Sequence, residues 1–405
     1  MSEKNNILIC SAVFPPEPVV SAILSKDLAE ELSKEYAVTV LSPRPTRPYG
    51  FNFDTATIQS CKYEKVILDS YTSPQSRFVG RFVESYSFGR ACVKYLKEHK
   101  DNIRLIYLNV WPLCAQYLLV KAAQKYRIPV VLHIQDIYPE SLLKKLPLAL
   151  VRSAVNSILL PLDRKIQAMA NHIIVISENM RQHLHATRRV PNNKMTIVTN
   201  WQNEQDFLNF PPVSSMPDTP FTFMYLGNIG PVARLDWLIH CFGKAQLPQA
   251  RFVIAGSGSC KEACIEIAQK YPSSQIEFWD VPAGKVPEIQ SQSDVMVLSL
   301  AEGAAMSSIP SKIPAYMFSG KPILGALDLH SDTARAISES GGGTVTAPNN
   351  EAEFVENLQK FAAKSHEDLA YMGAKSLAYG LKHFSKSANL STLIKVMKDM
   401  YHANR

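Results

Sequence analysis

The sequence predicts two α/β domains in tandem, each with a doubly wound parallel sheet of Rossmann-like type, that face each other across a cleft. Three observations lead to this prediction. Short apolar runs alternate with amphipathic helical stretches, each run is apolar on both faces, and a proline-rich stretch interrupts the series near its middle. Strands that are buried on both faces and separated by helices are typical of parallel sheets.

The length and composition agree with two folded domains. The chain has 405 residues, whereas a single domain usually contains roughly 100–200 residues. Hydrophobic residues make up 46% and charged residues 20%, as in a packed globular protein. The net charge of +7 suits anionic partners. Nucleic acid is disfavoured among them, because the sequence has neither an arginine-rich arm nor the spacing of zinc ligands.

Two series of apolar runs are interpreted as the strands of the two sheets. The first comprises residues 7–12, 37–41, 105–108, 130–133, 173–176 and 195–198, and the second comprises residues 221–226, 251–255, 276–278, 295–298, 322–326 and 344–346. Prolines between the two series indicate a linker over residues 206–220. We therefore expect a first domain over residues 1–205, a second over 206–385, and a C-terminal helix over 386–405 that packs back towards the first domain.

The sequence also bears on the cellular location. It has no hydrophobic signal-peptide region and no run that approaches the ~20 apolar residues of a membrane span. Its seven cysteines are irregularly spaced, and no ligand pair accompanies Cys260 and Cys264. We expect reduced thiols and a cytoplasmic protein. Basic and apolar residues combine over 77–97 and 144–160, which fits either attachment to an anionic membrane surface or ordinary core-facing helices.

His133 and Asp136 come at the end of a predicted strand of the first domain, where ligands of such sheets bind. An imidazole with an ordinary pKa of ~6.5 can donate a hydrogen bond or move a proton at neutral pH. A structural role is equally open, in which His133 pairs with a local carbonyl and Asp136 caps the next helix.

Two glycine turns follow the first two strands of the second domain. Gly227 and Gly230 lie in one turn, and Gly256 and Gly258 lie in the other. Such turns let backbone amides approach a phosphate at the start of the next helix, and Arg234 adds positive charge nearby. The alternative is that each turn is simply a tight connection.

The segment from Glu302 to Lys312 is longer and more polar than a plain connection requires. Glu302 is suited to binding sugar hydroxyls, and the amides of residues 306–309 are suited to phosphate oxygens. Lys312 supplies a point charge for a diphosphate. A flexible loop followed by a helix cap is the alternative.

Together these motifs resemble the retaining glycosyltransferases of family 4, which have the two-domain GT-B fold, and in particular the branch that builds capsule, O-antigen and exopolysaccharide repeats. The resemblance covers nearly the whole chain. It rests on Phe-Pro-Pro-Glu-Pro at 14–18, His-Ile-Gln-Asp-Ile-Tyr-Pro-Glu at 133–140, Gly-Asn-Ile-Gly at 227–230, Gly-Ser-Gly at 256–258 and Pro-Ser-Lys at 310–312.

The resemblance implies a nucleotide diphosphate sugar as donor, with uridine as the expected base, and a saccharide or polyprenyl-diphosphate-linked saccharide as acceptor. It implies no metal and no other cofactor. The implied site residues are His133, Asp136 and Glu302 for catalysis; Gly227, Asn228, Gly230, Arg234 and Lys312 for the diphosphate; Gly256, Ser257, Gly258, Val281 and Pro282 for the nucleotide; Ser307, Ser308, Ile309 and Pro310 for the donor sugar and phosphate loop; and Glu17, Pro18 and Val19 for the acceptor side.

The sequence departs from the family at three places. Asn228 and Ala233 stand where most members carry an arginine and a lysine, and Ala315 stands where a second glutamate usually holds the ribose. Val19 and Val20 replace glycines of the first turn. Two other functions therefore stay open, a nucleotide-sugar 2-epimerase of the same fold and a non-catalytic nucleotide-sugar-binding subunit.

Overall fold

The computed structural model describes residues 5–47, 62–73, 78–143, 146, 148–210, 219–305, 309–310 and 312–403. The chain divides into two compact units, one formed by Met1–Asn200 and Leu390–Arg405 and the other by Trp201–Asn389. Each unit contains a parallel sheet with helices between its strands, which confirms the predicted pair of Rossmann-like α/β domains.

The first unit is built around a sheet whose seven strands, counted over the described residues, are all parallel. In chain order its elements are β1 (Asn6–Ser11), α1 (Val20–Leu32), β2 (Ala37–Ser42), β3 (Glu64–Ile67), α2 (Phe78–His99), β4 (Ile103–Asn109), α3 (Cys114–Tyr126), β5 (Val130–Ile134), α4 (Glu140–Leu143), α5 (Ala149–Met169), β6 (His172–Val175), α6 (Glu178–Arg188) and β7 (Met195–Ile197). The strand order is β3-β2-β1-β4-β5-β6-β7. Apolar side chains of β4 and β5 are fully buried, as expected of central strands covered on both faces.

The edge strand β3 is the one strand of this sheet that the apolar pattern did not predict. Its Glu64 and Lys65 are exposed, and among the described strands it pairs with β2 alone. A short edge strand with charged side chains has no continuous apolar run, because only one of its edges is paired and little of it is buried.

The second unit repeats this arrangement with six strands in its described part. Its elements are α7 (Gln205–Leu208), β8 (Phe221–Leu226), α8 (Leu235–Ala245), β9 (Ala250–Ala255), α9 (Lys261–Ala268), β10 (Gln275–Trp279), α10 (Val286–Ser291), β11 (Val295–Ser299), α11 (Lys312–Phe318), β12 (Ile323–Ala326), α12 (Asp332–Ser340), β13 (Gly343–Thr346), α13 (Glu351–Ala362) and α14 (His366–His383). The strand order is β10-β9-β8-β11-β12-β13, and every pairing is parallel. All carboxyl ends of the strands therefore lie along one edge of this sheet.

The start of the predicted linker belongs to the second unit. Phe207 of α7 is buried, and its ring lies 5.8 Å from that of Phe318. The division between the units follows Asn200, five residues before the predicted boundary. Prolines marked the linker in the sequence, but burial of Phe207 against the second core shifts the start of that unit.

The last helix, α15 (Lys386–His402), makes its described contacts near its end with the first unit. Arg104 donates a hydrogen bond to the carbonyl of Tyr401 at 2.9 Å, and Lys398 forms an ion pair with Glu35 at 2.7 Å. Across the described part of the chain, no helix combines the length and the apolar character needed to cross a membrane.

Candidate functional site

The two glycine turns of the second unit lie against each other, because β8 and β9 are neighbours. Gly227 N–H donates to the carbonyl of Ala255 at 3.0 Å, and Ile229 N–H donates to that of Ser257 at 2.8 Å. A side chain on Gly256, whose φ is +136°, would overlap with the carbonyl oxygen of Gly227. Close packing of the two turns is therefore one reason for these glycines.

Lys312 lies directly over the first of these turns. Its aliphatic chain occupies the space that a side chain on Gly227 would fill, and its ammonium donates a hydrogen bond to the Tyr225 hydroxyl. The same hydroxyl donates to the carbonyl of Asn228 at 2.6 Å. The Asn228 side chain in turn lies close to Gly230. The structure thus brings together four of the five residues predicted to bind the diphosphate.

The Lys312 ammonium is a largely buried cation. Burial lowers its pKa from the ordinary value to about 8. Among the described residues, no carboxylate lies within ion-pairing distance of it, and its polar partner is the neutral Tyr225, whose pKa burial raises. A buried cation without a counter-charge is costly, so an anion at this position would be bound favourably.

Arg234, the fifth of these residues, has different partners. It precedes α8 with φ +46°, and its guanidinium donates to the side-chain oxygen of Asn349 at 3.0 Å and lies 3.6 Å from the carboxylate of Asp236. Its polar contacts among the described residues are thus outside the Lys312 cluster, and its role towards a diphosphate stays a prediction.

The loop that follows β11 is held through an aspartate that the sequence interpretation missed. Glu302 is exposed, and the N–H of the next residue, Gly303, donates to the carboxylate of Asp328 at 3.0 and 3.1 Å. Ile309 and Pro310 are half-buried. The predicted residues Ser307 and Ser308 lie outside the described residues.

Helix α11 carries Ala315, which stands where the family usually has the glutamate that holds the ribose. Ala315 is buried in the core of the second unit. The neighbouring Tyr316 is fully buried, and its hydroxyl bonds with both the N–H and the carbonyl of Leu226 at 2.9 Å. This contact fixes α11, and with it Lys312, against the end of β8.

Two of the residues predicted to bind the nucleotide, Val281 and Pro282, follow β10. Val281 is half-buried and Pro282 is exposed. Just before them, Asp280 pairs with Lys261 at 2.7 Å, which links this segment to α9 after the second glycine turn. The structure brings this segment and the turn of Gly256, Ser257 and Gly258 to neighbouring strand ends.

In the first unit, a cavity of about 460 Å³ lies at the carboxyl ends of β1, β4 and β5. His133 and Asp136 both line it, together with Asn109, Trp111 and Arg81. Asp136 is exposed there. The two predicted catalytic residues of this unit therefore share one cavity wall.

Burial of His133 makes its protonation behaviour different from that of the titrating imidazole expected from the sequence. The side chain is 2% exposed, Nδ1 is hydrogen bonded to the Tyr107 hydroxyl, and Nε2 lies 3.0 Å from the side-chain amide of Gln135. Desolvation lowers its pKa to about 3. The ring is therefore neutral near pH 7, and it acts as a hydrogen-bonding group and not as an imidazole that titrates at neutral pH.

Glu17, predicted for the acceptor side, is held by the backbone of its own unit. Its buried carboxylate accepts hydrogen bonds from the N–H groups of Phe14 at 3.2 Å and of Thr46 and Arg47 at 2.9 Å. Pro18 is exposed and Val19 is half-buried. The carboxylate of Glu17 thus joins the turn after β1 to the segment after β2.

A buried ion cluster beside the cavity was also missed. The side chain of Arg188 is fully buried, and it pairs with Asp163 at 2.8 Å and with Glu140, which His183 also contacts at 2.8 Å. Burial opposes ionisation of Glu140, but hydrogen bonds from Arg188 and His183 outweigh it and hold its pKa well below the ordinary value. The cluster fixes the segment that carries Asp136. Only its spatial arrangement reveals it, since the residues are separated in the chain.

Large apolar side chains are exposed on α2 and α5. Leu150 is 87% exposed and Ile158 is 71% exposed, and Val79, Val83 and Tyr86 are also exposed. The predicted basic residues Arg77, Lys144 and Lys145 lie outside the described residues. Among the described residues, no group of three or more His, Cys, Asp or Glu side chains is placed to hold a metal ion.

Two family models match the chain. Residues 22–204 match Glycosyltransferase Family 4, and residues 220–364 match Glycosyl transferases group 1. The chain is also 23% identical over 233 residues to "Probable glycosyltransferase WbjE" of Pseudomonas aeruginosa. That match covers 54% of this chain and 56% of the relative, so it spans about half the length of each protein.

Solved structures resemble the chain over almost its whole length. The structure of Anabaena Alr3699/HepE in complex with UDP matches with a TM-score of 0.69 at 14% identity and covers 97% of this chain and 100% of that one. Sucrose-phosphate synthase from Thermosynechococcus elongatus matches with a TM-score of 0.71 at 15% identity, covering 99% and 100%. At these low sequence identities, the structural similarity establishes the fold alone. With a family 4 domain followed by a group 1 domain, the chain belongs to the glycosyltransferases of GT-B fold.

Proposed function

We propose that the protein transfers a sugar from a UDP-linked donor to a saccharide or polyprenyl-diphosphate-linked saccharide acceptor, with retention of configuration. The observation that carries the donor half of this proposal is the uncompensated Lys312 ammonium over the turn of Gly227. The structure of the Anabaena protein, which has the same fold, is a complex with UDP, and this supports a UDP-linked donor.

The chemistry requires stabilisation of the departing diphosphate. Lys312 supplies positive charge at that site, and the amides of the glycine turns supply further donors. We propose a front-face transfer in which the leaving phosphate helps to remove the acceptor proton, so that no metal is required. Glu302 contacts the donor sugar. Neutral His133 orients hydroxyl groups, and Asp136 faces the acceptor from the same cavity.

Binding of UDP tests the donor half directly. Isothermal titration should show UDP binding to the wild-type protein and weakening of about tenfold or more in Lys312→Met, because a charge-assisted contact is lost. Lys360→Met is the matched control, since that lysine of the second unit is exposed and its ion pair among the described residues is with Glu356 on its own helix. Absence of UDP binding to the wild-type protein, or equal affinities in both variants, would contradict the proposal.

The reaction itself separates the three functions that the sequence left open. We expect a screen of UDP-sugars with saccharide acceptors to yield a glycoside product. Proton NMR of that product should show the transferred sugar in the same anomeric configuration, axial or equatorial, as in the donor. Release of a free epimer from donor alone would favour the epimerase, and donor binding without any turnover would favour a binding subunit.

We also propose a role in bacterial surface polysaccharide synthesis at the inner face of the membrane. The exposed apolar side chains of α5, with Arg152 exposed among them, favour contact with an anionic bilayer. Co-sedimentation with anionic vesicles should be salt-sensitive and should fall when Leu150 and Ile158 are both replaced by serine. Equal recovery of both proteins in the pellet would remove this part of the proposal.

A further inference from the structure

Two arginines stack on a tryptophan that lines the cavity in the first unit. The guanidinium of Arg47 lies 4.4 Å from the centroid of the Trp111 ring, and that of Arg81 lies 4.8 Å from it. Both guanidinium groups also contact the buried carboxylate of Glu84. Arg81 and Trp111 line the cavity, so this cluster holds a positive group at its surface.

The shared carboxylate serves the two arginines unequally. Glu84 accepts two hydrogen bonds from Arg47, at 2.7 and 2.8 Å, but only one from Arg81, at 3.3 Å. A guanidinium has five N–H donors arranged to bind a carboxylate or phosphate in a bidentate manner. Within the described part of the chain, the other donors of Arg81 have no partner. Its side chain is 35% exposed, so these donors are accessible from the cavity.

Given the charged groups around it, Arg81 can still bind another anion. Burial lowers the pKa of Arg81, and repulsion from Arg47 adds to this effect, while Glu84 and the more distant Glu17 act in the opposite direction. The carboxylate of Glu17 is already occupied by three backbone N–H groups. Asp136 is exposed on the cavity wall, and His133 there is neutral.

The cavity also presents apolar surface beside this donor. Phe82, Leu142 and Leu146 line it together with Arg81. A ligand with a phosphate group next to either a sugar ring or a hydrocarbon chain would satisfy both features, because the cavity also presents Trp111 and polar side chains such as Gln135.

We propose that this cavity binds a phosphate group of the acceptor, and that Arg81 is the residue that binds it. The inference rests on the proposed function, in which the first unit receives the acceptor. The phosphate belongs either to a lipid diphosphate or to a sugar phosphate, which share the same oxyanion chemistry. Trp111, Arg47 and Glu84 are positioning residues that hold the guanidinium of Arg81 towards the cavity.

Titration calorimetry on the full chain, saturated with UDP so that the Lys312 site is filled, tests the inference. The probes are geranyl diphosphate, N-acetylglucosamine 1-phosphate and the uncharged N-acetylglucosamine. We expect at least one phosphate probe to bind, and Arg81→Gln to weaken it by about tenfold or more, as for loss of a charge-assisted hydrogen bond. Arg81→Lys keeps the positive charge but loses the bidentate geometry of the guanidinium, so its affinity should be intermediate. Arg90→Gln, an exposed change on the same helix, should leave the affinity unaltered.

The outcomes separate the two proposals. Binding of geranyl diphosphate but not of the sugar phosphate assigns a lipid source, and the reverse assigns a soluble acceptor. If neither phosphate probe binds, if the uncharged sugar binds equally well, or if Arg81→Gln has no effect while UDP still depends on Lys312, the phosphate site is overturned and the donor proposal stands. If UDP itself does not bind, the proposed function fails, and the same variants titrated without UDP still decide the phosphate site.

Discussion

The Lys312 ammonium lies 4.4 Å from the centroid of the Tyr225 ring and donates a hydrogen bond to the hydroxyl of that ring. Through the bond from this hydroxyl to the carbonyl of Asn228, the start of α11 is connected to the turn after β8. The ring face attracts the cation by roughly 0.5–2 kcal/mol at partly buried sites. The positive charge is therefore held in place before any ligand arrives.

Removal of the Tyr225 hydroxyl should make the position of Lys312 less fixed, while the aromatic ring still fills its place in the core. Tyr225→Phe keeps the ring contact with Lys312 but loses two hydrogen bonds. We expect UDP affinity to fall by about threefold to tenfold, as for loss of a neutral hydrogen bond, measured by titration calorimetry. Tyr271→Phe, which loses a hydroxyl contact with His240 elsewhere in the second unit, is the control. Unaltered UDP affinity in Tyr225→Phe would show that the hydroxyl does not position Lys312.

The pKa of Lys312 predicts a pH dependence of donor binding. Since burial lowers this pKa to about 8, the free protein loses the positive charge as the pH rises through that value. UDP affinity should therefore fall between about pH 7.5 and pH 9.5, because only the protonated amine attracts the diphosphate. Lys312→Arg stays charged throughout this range, so its affinity should be flat. A similar decline in both proteins would assign the effect to another group.

Gly227 should tolerate no side chain. Its φ is +149°, and a Cβ would overlap with Cε of Lys312, so Gly227→Ala both strains the backbone and displaces the lysine. We expect loss of UDP binding and a lower melting temperature. Gly341→Ala, at the end of α12 with φ +64°, has a strained backbone but no contact with the site, and should lower only the melting temperature. Normal UDP binding by Gly227→Ala would contradict the placement of Lys312.

His133 should stay neutral in weak acid. A histidine with an ordinary pKa of ~6.5 is mostly protonated at pH 5, but burial lowers the pKa of His133 to about 3. Long-range proton–nitrogen NMR of the histidine rings should show this ring neutral at pH 5, with the signal assigned from its absence in His133→Asn. A change of its nitrogen shifts near pH 6.5 would refute the buried neutral ring.

The Arg188 cluster should be important for stability. Arg188→Met leaves Glu140 and Asp163 without their common cation, and removal of one partner from a buried ion pair costs about 3–5 kcal/mol. The free energy of unfolding in urea should fall by that amount. Arg181→Met removes a surface pair with Glu178 and should cost about 1 kcal/mol or less. Equal losses of unfolding free energy in the two variants would mean that the buried cluster stabilises the fold no more than the pair of Arg181 and Glu178 does.

Local features of the sequence were sufficient to predict most of the fold. All twelve predicted apolar runs are strands of the two sheets, since central parallel strands must be apolar on both faces. The resemblance to family 4 implied that the glycine turn of Gly227 and Lys312 bind one diphosphate, and the structure brings Lys312 over that turn. The edge strand β3 was missed, because its exposed charged residues carry no such pattern.

Other features depend on residues that are distant in the chain and meet only in the folded protein. Tyr316 reaches the backbone of Leu226, Arg188 reaches Glu140, and Arg81 and Arg47 meet at Trp111. No periodicity or motif identifies such pairs, since each partner alone is an ordinary residue of its helix or turn.

The order of apolar runs, glycines and prolines by itself determined the two α/β units and the strand ends at which chemistry is expected. The tertiary structure alone decided the charge of the groups placed there. Burial keeps His133 neutral and brings the pKa of Lys312 to about 8. The physical reason is that a protonation equilibrium depends on the solvent and charges that surround a group, and these are set by side chains from many parts of the chain.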